Sequence, residues 1–271
     1  MGLAGSVTGA RLDVAVTLIN SGCGHALPTG EPMRALLLVV DTDACGERMR
    51  AIDGYTIGDV GGALARGVVG ASVTLSSEEL VFATAPSGIT AGQRVRVLRP
   101  TGLYDDYEGV GYFGASERTP EEKGLEIFAP VDEAAVLGVT GATVLADRAL
   151  MAQPGDVVVI AEALPASFVD GADARALAGA PGHAFARVLV DPEGRRQVPQ
   201  HRAVDIASDN RIPPQGTALS SHAFAVPPSC TEAKVTATVL YRPRPLWLAR
   251  ERGWPAKDHV AAQLTRSFAL R

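Results

Sequence analysis

Asn20-Ser21-Gly22-Cys23-Gly24-His25-Ala26-Leu27-Pro28-Thr29-Gly30 is a glycine-rich stretch between two segments with β-strand patterns. In residues 11–19 apolar and polar side chains alternate, which is typical of a strand with one buried face. Residues 33–40 are almost all apolar, as in a strand that is covered on both faces. Because glycine permits positive φ and Pro28 lacks the backbone donor of a central strand, the stretch itself is predicted to be a loop. Its His25 is therefore expected at the rim of a sheet, where loops carry function.

Short strand patterns recur along the rest of the chain, separated by glycine and proline turn signals and without a sustained alternation of strands and helices. This spacing predicts an all-β fold, an antiparallel β-sandwich with Greek-key, immunoglobulin-like connections. We expect a single domain over residues 1–271, with long inserted loops and an insertion at 58–130. One or two short helices are predicted, near Thr119 and from Pro245 to Gly253.

The composition limits the classes of protein to which this chain can belong. A hydrophobic content of 46% allows a sizeable core, and a net charge of −5 offers no bulk attraction for nucleic acid. No apolar run reaches the ~18 residues that span a membrane, so no transmembrane segment is predicted. Because no signal peptide is visible, the chain is expected to be cytoplasmic, or a mature or trimmed part of an exported protein.

The three cysteines are Cys23, Cys45 and Cys230, and none belongs to a C-x-x-C-H motif. No covalently bound c-type haem is therefore expected. If the strands at 33–43 and 234–241 lie antiparallel, Cys45 follows the end of one and Cys230 precedes the start of the other. This arrangement predicts a disulfide between them, with Cys23 left free, and a disulfide favours an extracytoplasmic location. Three reduced, buried cysteines are the alternative.

Two parts of the chain resemble a β-sandwich domain found in bacterial multihaem c-type cytochromes. The first part is Asn20 followed by Gly-His-x-x-Pro-Thr-Gly, which starts at Gly24, and by Arg34. The second part has a Gly-His segment, a D-x-R-I-x-P turn and an L-Y-R strand: Gly182-His183, Asp209-Asn210-Arg211-Ile212-Pro213-Pro214 and Leu240-Tyr241-Arg242. The resemblance extends over both ends of the chain.

The resemblance implies a non-catalytic, haem-free accessory domain or subunit of an extracytoplasmic electron-transfer system, periplasmic or extracellular. Its partner would be a haem-bearing domain or subunit of a multihaem c-type cytochrome. His25 is the candidate axial ligand for a haem that the partner presents, because a neutral imidazole binds metals through one ring nitrogen. In the alternative interpretation, His25 packs against the sheet and bonds a backbone carbonyl group, which fixes the loop.

Cys23 and His25 also form a Cys-x-His pair, and copper and zinc both accept thiolate and imidazole ligands. A complete site needs at least one further ligand. The other histidines are available, but sequence spacing places none of them beside the pair: His183, His201, His222 and His259. A small copper or zinc protein is therefore one alternative function.

Arg34 shares the phase of the apolar side chains in the strand that follows it, although it carries a charge. If that face points inward, the guanidinium needs a carboxylate, because a buried unpaired charge is costly. Asp209, in the same turn as Arg211, is the first candidate partner, and Glu31 is the second. We expect these residues to have a structural role.

Tyrosines and acidic residues are concentrated in one segment, which contains Tyr104, Asp105, Asp106, Tyr107 and Tyr112. Such a patch suits stacking on a sugar, binding of a cation or contact with a partner protein. A secreted ligand- or carbohydrate-binding module is therefore a second alternative function. The patch is equally consistent with a loop whose rings cover the edge of the core.

The sequence contains little that suggests catalysis. It has no nucleophile-elbow, zinc-protease, P-loop or dinucleotide-binding motif. Ser220-Ser221-His222 lies in a predicted strand, where neighbouring side chains point to opposite faces, so we expect no serine–histidine pair there. The chain is predicted not to be an enzyme.

Overall fold

The structure is a computed structural model, and it describes residues 1–30, 32–58, 66–70, 77–86, 88–105, 125–162, 164 and 168–270. Strands dominate these residues. In chain order the strands are β1 (Gly2–Thr8), β2 (Arg11–Ile19), β3 (Ala35–Ala44), β4 (Glu47–Arg48), β5 (Ala51–Gly54), β6 (Arg66–Val68), β7 (Ser77–Val81), β8 (Arg94–Asp105), β9 (Leu125–Thr140), β10 (Thr143–Leu150), β11 (Val157–Ile160), β12 (Ala172–Asp173), β13 (Gly182–Val190), β14 (Asp205–Asp209), β15 (Thr217–Ala225), β16 (Glu232–Arg242) and β17 (Lys257–Ala269). A helix, α1, spans Leu246–Glu251, and a 3₁₀ turn spans Gln200–Arg202.

Two antiparallel sheets pack face to face and confirm the predicted β-sandwich. One sheet has the strand order β1-β2-β15-β5, and the other has the order β12-β17-β16-β3-β13-β14, with β4 paired to β3. The alternating apolar side chains of β2 point into the core between the sheets. In β3, Leu36 and Leu38 join that core, whereas Leu37 and Val39 join a second core on the opposite face. Burial on both faces explains why β3 is apolar without alternation.

The strands β6 to β11 form a separate six-stranded antiparallel sheet, with the order β6-β11-β8-β9-β10-β7. The two edges of this sheet meet where Val69 bridges Phe82 and the Gly70 backbone N–H donates to the Val81 carbonyl oxygen at 2.8 Å. The sheet therefore closes into a small barrel, which has a hydrophobic core of its own. The described residues of the insertion predicted at 58–130 thus contribute strands to this barrel, whose strands continue to Ile160.

The barrel contacts the sandwich through a few polar side chains. Thr56 of the sandwich donates its hydroxyl to the Phe128 carbonyl oxygen at 2.8 Å. The buried Arg96 of β8, which pairs with Glu133 inside the barrel, also donates to the Ala178 carbonyl oxygen of the sandwich at 3.4 Å. Two cavities of about 660 and 630 Å³ lie along this junction.

The short helix predicted at 245–253 is present as α1. The helix start predicted at Thr119 lies outside the described residues. None of the helical segments that the structure describes is long and apolar enough to span a membrane.

Cys45 and Cys230 form a disulfide beside the ends of two neighbouring strands of one sheet, β3 and β16. In the antiparallel pair of β3 and β16, Ala44 lies opposite Ala233, so the two cysteines stand just beyond the paired ends, with their Cα atoms 5.9 Å apart. Cys23 is a free, partly exposed thiol. The disulfide closes a long loop, since 185 residues separate its two cysteines.

Candidate functional site

The glycine-rich loop and the D-N-R-I-P-P turn lie side by side at one end of the sandwich. β2 ends at Ile19, which pairs with Thr217 at the start of β15, so the chain segments beyond these two positions meet. Leu27 and Ile212 exchange backbone hydrogen bonds of 2.8 and 2.9 Å. Both parts of the sequence resemblance therefore contribute to one surface, and we call residues 20–30 and 209–216 the rim.

Asn20 holds the rim together from the inside. Its side chain is buried, and Nδ2 lies 2.8 Å from the carbonyl oxygen of His25 and 3.1 Å from those of Ile212 and Pro213. Its Oδ1 accepts a hydrogen bond from the backbone N–H of Cys23 at 3.3 Å. One buried amide thus satisfies backbone groups of both rim segments, which fixes the backbone that carries His25.

His25 is exposed on this fixed loop. Its Nδ1 lies 3.3 Å from the carbonyl oxygen of Ala26, and because a carbonyl oxygen only accepts, Nδ1 carries the hydrogen in this geometry. The second ring nitrogen, Nε2, is then left with a lone pair. This is the tautomer in which histidine binds a metal while a backbone carbonyl orients the ring. The carbonyl bond of the alternative interpretation is present, but the ring is not buried against the sheet.

Cys23 is only partly exposed, although it lies two positions from His25. Among the side chains that the structure describes, no three or more histidine, cysteine, aspartate or glutamate residues are grouped to hold a metal ion. A copper or zinc site at Cys23 and His25 therefore stays a prediction.

The predicted Arg34–Asp209 pair is wrong. Arg34 precedes β3, so the phase of the strand does not turn its side chain inward. Its Nη1 donates instead to the Thr29 carbonyl oxygen at 3.2 Å and packs on Gly30, where an added Cβ would lie 2.6 Å from Nη1. Because Gly30 has a φ of +81°, the backbone conformation favours glycine there, whereas the end of the flexible Arg34 side chain could move away from a Cβ. The other predicted partner, Glu31, lies outside the described residues.

Asp209 binds two other arginines. Arg211 donates to both of its carboxylate oxygens at 2.7 Å, and Arg187 donates from Nε at 2.6 Å. Burial acts to raise the pKa of Asp209, but the hydrogen bonds and charges of Arg211 and Arg187 outweigh it, and the pKa lies below the ordinary value. Two guanidinium groups on one carboxylate leave this side of the rim positively charged.

A serine–histidine pair lies inside the sandwich, although the sequence pattern predicted none in this strand. Ser221 and His222 do point to opposite faces, but Ser220 and His222 share a face, and Ser220 Oγ lies 2.8 Å from His222 Nε2. His222 is also close to His183, whose ring stacks between Tyr55 and Phe185 at centroid distances of 4.7 and 4.5 Å. Ser220 and His222 are 1% and 3% exposed, so the pair is closed to substrates and belongs to the core.

The buried His222 predicts acid sensitivity. Burial, and then the nearby His183, lowers the pKa of the His222 imidazole to about 4. Below pH 6.5 the unfolded chain takes up a proton that the folded chain refuses, so stability is full above that pH and falls until about pH 4. Urea unfolding is expected to show a loss of about 3 kcal/mol over this range. His222→Gln should remove that part of the loss, whereas the exposed His201→Gln should retain it; equal slopes in both variants would contradict the assignment.

The predicted acidic and aromatic patch lies mostly outside the described residues. Asp106, Tyr107 and Tyr112 lie outside the described residues, and Tyr104 and Asp105 are described only as backbone at the end of β8. A ligand site at this patch stays a prediction.

Comparison with known proteins gives a structural likeness but no sequence match. No family model matches the chain, and no curated protein matches it. A solved structure of a penta-haem cytochrome c552 from Thermochromatium tepidum is similar, with 12% identity and a TM-score of 0.43. The alignment covers 98% of this chain and 38% of the cytochrome, so the chain spans well under half of that protein's length.

Proposed function

We propose that this chain is a haem-free β-sandwich domain or subunit that packs beside a haem-bearing partner in a multihaem c-type cytochrome system. The observation that carries the proposal is the exposed His25 imidazole on a loop that a buried amide, Asn20, fixes from within. The motifs of the sequence resemblance supply both segments of this rim. The chain would contribute to electron transfer by structure and ligation, without chemistry of its own.

His25 fits the role of an axial ligand in its donor chemistry. A neutral imidazole with a free Nε2 is a common protein ligand of haem iron, and the exposure of the ring lets a partner approach it. The haem iron, when the partner presents it, supplies the one-electron chemistry. The part of this chain is to hold the ring on the fixed loop, with Nδ1 in contact with the Ala26 carbonyl oxygen at 3.3 Å, so that Nε2 is the nitrogen left for the iron.

The proposed location is extracytoplasmic, in the periplasm or outside the cell. The Cys45–Cys230 disulfide supports this location, because structural disulfides persist in oxidising compartments and are rare in the cytosol.

A direct test uses a c-type haem peptide, a short peptide with one covalently attached haem and one open axial position. Wild-type chain is expected to shift the Soret band of the ferric peptide to that of a six-coordinate, low-spin haem. His25→Ala should lose the shift, because the imidazole nitrogen is removed while the Asn20 network remains. Absorption titrations at neutral pH measure the effect.

The matched control is His201→Ala, which removes another exposed histidine and should retain the full shift. A wild-type chain that leaves the spectrum unchanged, or a His25→Ala variant that still shifts it, would contradict the role of His25 as an axial ligand.

A further inference from the structure

A basic and aromatic segment follows the L-Y-R strand. Residues 242–257 contain five basic residues and one acidic residue, Glu251, in a chain whose net charge is −5. Two of the five are paired with carboxylates outside the segment, Arg242 with Asp258 and Lys257 with Asp173. The segment begins with Arg242, the last residue of β16, continues through α1 and ends at Lys257, the first residue of β17. We call it the tryptophan segment, because it holds both tryptophans of the chain, Trp247 and Trp254.

Both tryptophans are exposed, Trp247 at 37% and Trp254 at 48%. Tryptophan is highly buried on average in folded proteins. Arg244 lies over the Trp254 ring, with its guanidinium carbon 5.1 Å from the ring centroid, so the ring is oriented while part of it faces water. Exposed tryptophan beside arginine is the combination most enriched at energetically important positions of protein interfaces.

The tryptophan segment lies at the same end of the sandwich as the rim. Arg242 pairs with Ala35, where β3 begins just after the loop of His25. Pro245, from the start of the segment, lines a small cavity together with Arg34 and Arg187. Arg187 in turn binds Asp209 of the rim, so the two surfaces are continuous.

Positive charge collects on this continuous surface. Arg187 and Arg211 share the single carboxylate of Asp209, and the exposed Arg250 and Arg252 flank Glu251, which lies 3.8 Å from the Arg252 guanidinium. Because the chain as a whole is acidic, this concentration of arginine is local. A surface of this kind attracts a partner that presents carboxylates beside an apolar edge.

We infer that the rim and the tryptophan segment together form the docking surface for the haem-bearing partner, and that the arginines bind its haem propionates and neighbouring acidic side chains. The inference rests on the proposed function and names the recognition chemistry of the same surface. A haem has the required combination, a flat apolar edge for tryptophan contact and two carboxylates for arginine.

The fluorescence of the two tryptophans can report binding at this surface. A haem quenches tryptophan emission when it binds close by, so titration of the c-type haem peptide should quench the fluorescence of the chain. Binding is expected to weaken roughly fivefold to tenfold when the haem propionates of the peptide are esterified, and similarly when salt is raised from about 0.05 to 0.5 M, because both changes weaken charge attraction.

Arg250→Gln/Arg252→Gln should weaken quenching by a similar factor for the native peptide and by little for the esterified one. The matched control is Arg50→Gln/Arg94→Gln, which removes two exposed arginines outside the tryptophan segment and should leave the affinity unchanged. Equal affinities for the native and esterified peptides, or equal losses in both double variants, would overturn the docking surface.

The experiments distinguish a failure of the docking surface from a failure of His25 as a ligand. If His25 is not a ligand but the surface is correct, quenching keeps its dependence on salt and propionates while the Soret band does not shift. If His25 is a ligand but the surface is wrong, the Soret band shifts while the affinity ignores esterification and the Arg250→Gln/Arg252→Gln change.

Discussion

Asp258→Ala is expected to lower the free energy of unfolding of the sandwich by about 3 to 5 kcal/mol. Asp258 accepts hydrogen bonds from Arg242 Nε and Nη2 at 2.8 and 2.7 Å, and the two side chains are 0% and 1% exposed. The Arg242 guanidinium also donates to the Arg175 carbonyl oxygen at 2.7 Å. Removing the carboxylate takes a directly bonded negative charge away from a fully buried cation, which costs far more than the pair contributes when intact.

Urea unfolding followed by tryptophan emission measures this effect, because Trp247 and Trp254 lie in the segment that Arg242 and Asp258 bracket. The control is Asp173→Ala, which breaks the exposed pair with Lys257 and should change stability little.

The double variant Arg242→Met/Asp258→Leu separates the two possible causes of the loss. If the unpaired charge is the cause, the double variant recovers most of the stability of the wild type. If it is as unstable as Asp258→Ala, lost packing is the cause and the argument from charge is wrong.

The buried pair also bears on function. Arg242 and Asp258 join the end of β16 to the second residue of β17, and the tryptophan segment is the connection between these strands. A fixed base limits the entropy that the exposed tryptophans lose when a partner binds. Arg242 belongs to the L-Y-R part of the sequence resemblance, and under the proposed docking this buried motif residue would act by fixing the base of the segment.

The sandwich was predictable because the order of apolar and polar residues in each strand shows which of its faces are buried. β2 alternates because only one face is buried, and β3 is apolar throughout because its two faces meet different cores. The disulfide pairing followed from the order of these strands. The pairing of β16 with β17 along almost its whole length is a tertiary contact that local sequence patterns do not predict.

The barrel was the main gap in the fold prediction. Its strands alternate as the sandwich strands do, so the sequence contains no local mark where one body ends and the other begins. Closure depends on the meeting of β6 and β7, which the bridge between Val69 and Phe82 provides. The predicted end of the insertion at residue 130 therefore lies inside β9.

The candidate site was predictable in its residues but not in its pairings. The glycines and Pro28 predicted a loop that carries His25, and Asn20 stands at the start of that loop. The predicted pairing of Arg34 failed because Arg34 stands one residue before β3, where the alternation of a strand no longer applies. The choice of Arg187 and Arg211 as partners of Asp209 depends on the antiparallel contact of β13 with β14, in which Arg187 lies opposite Asp209.

Cys45→Ser/Cys230→Ser is expected to destabilise the protein by about 5 kcal/mol. In the chain-entropy model a cross-link that closes a loop of 185 residues removes about that much conformational freedom from the unfolded chain, and removal of native disulfides typically costs about 2 to 5 kcal/mol. The closed loop contains the whole barrel, which exists as its own body between β5 and β12. The bond therefore acts as a constraint on the unfolded state, across the end of the sandwich opposite the rim.

Urea unfolding of the double variant measures the loss, and reduction of the wild type with dithiothreitol should reproduce it in full. Cys23→Ser is the control, because it removes a cysteine that is free and should change stability little. Titration of the unreduced, denatured wild type should find one reactive thiol, and three after reduction. Three thiols before reduction would refute the cross-link and, with it, the support that the disulfide gives to an extracytoplasmic location.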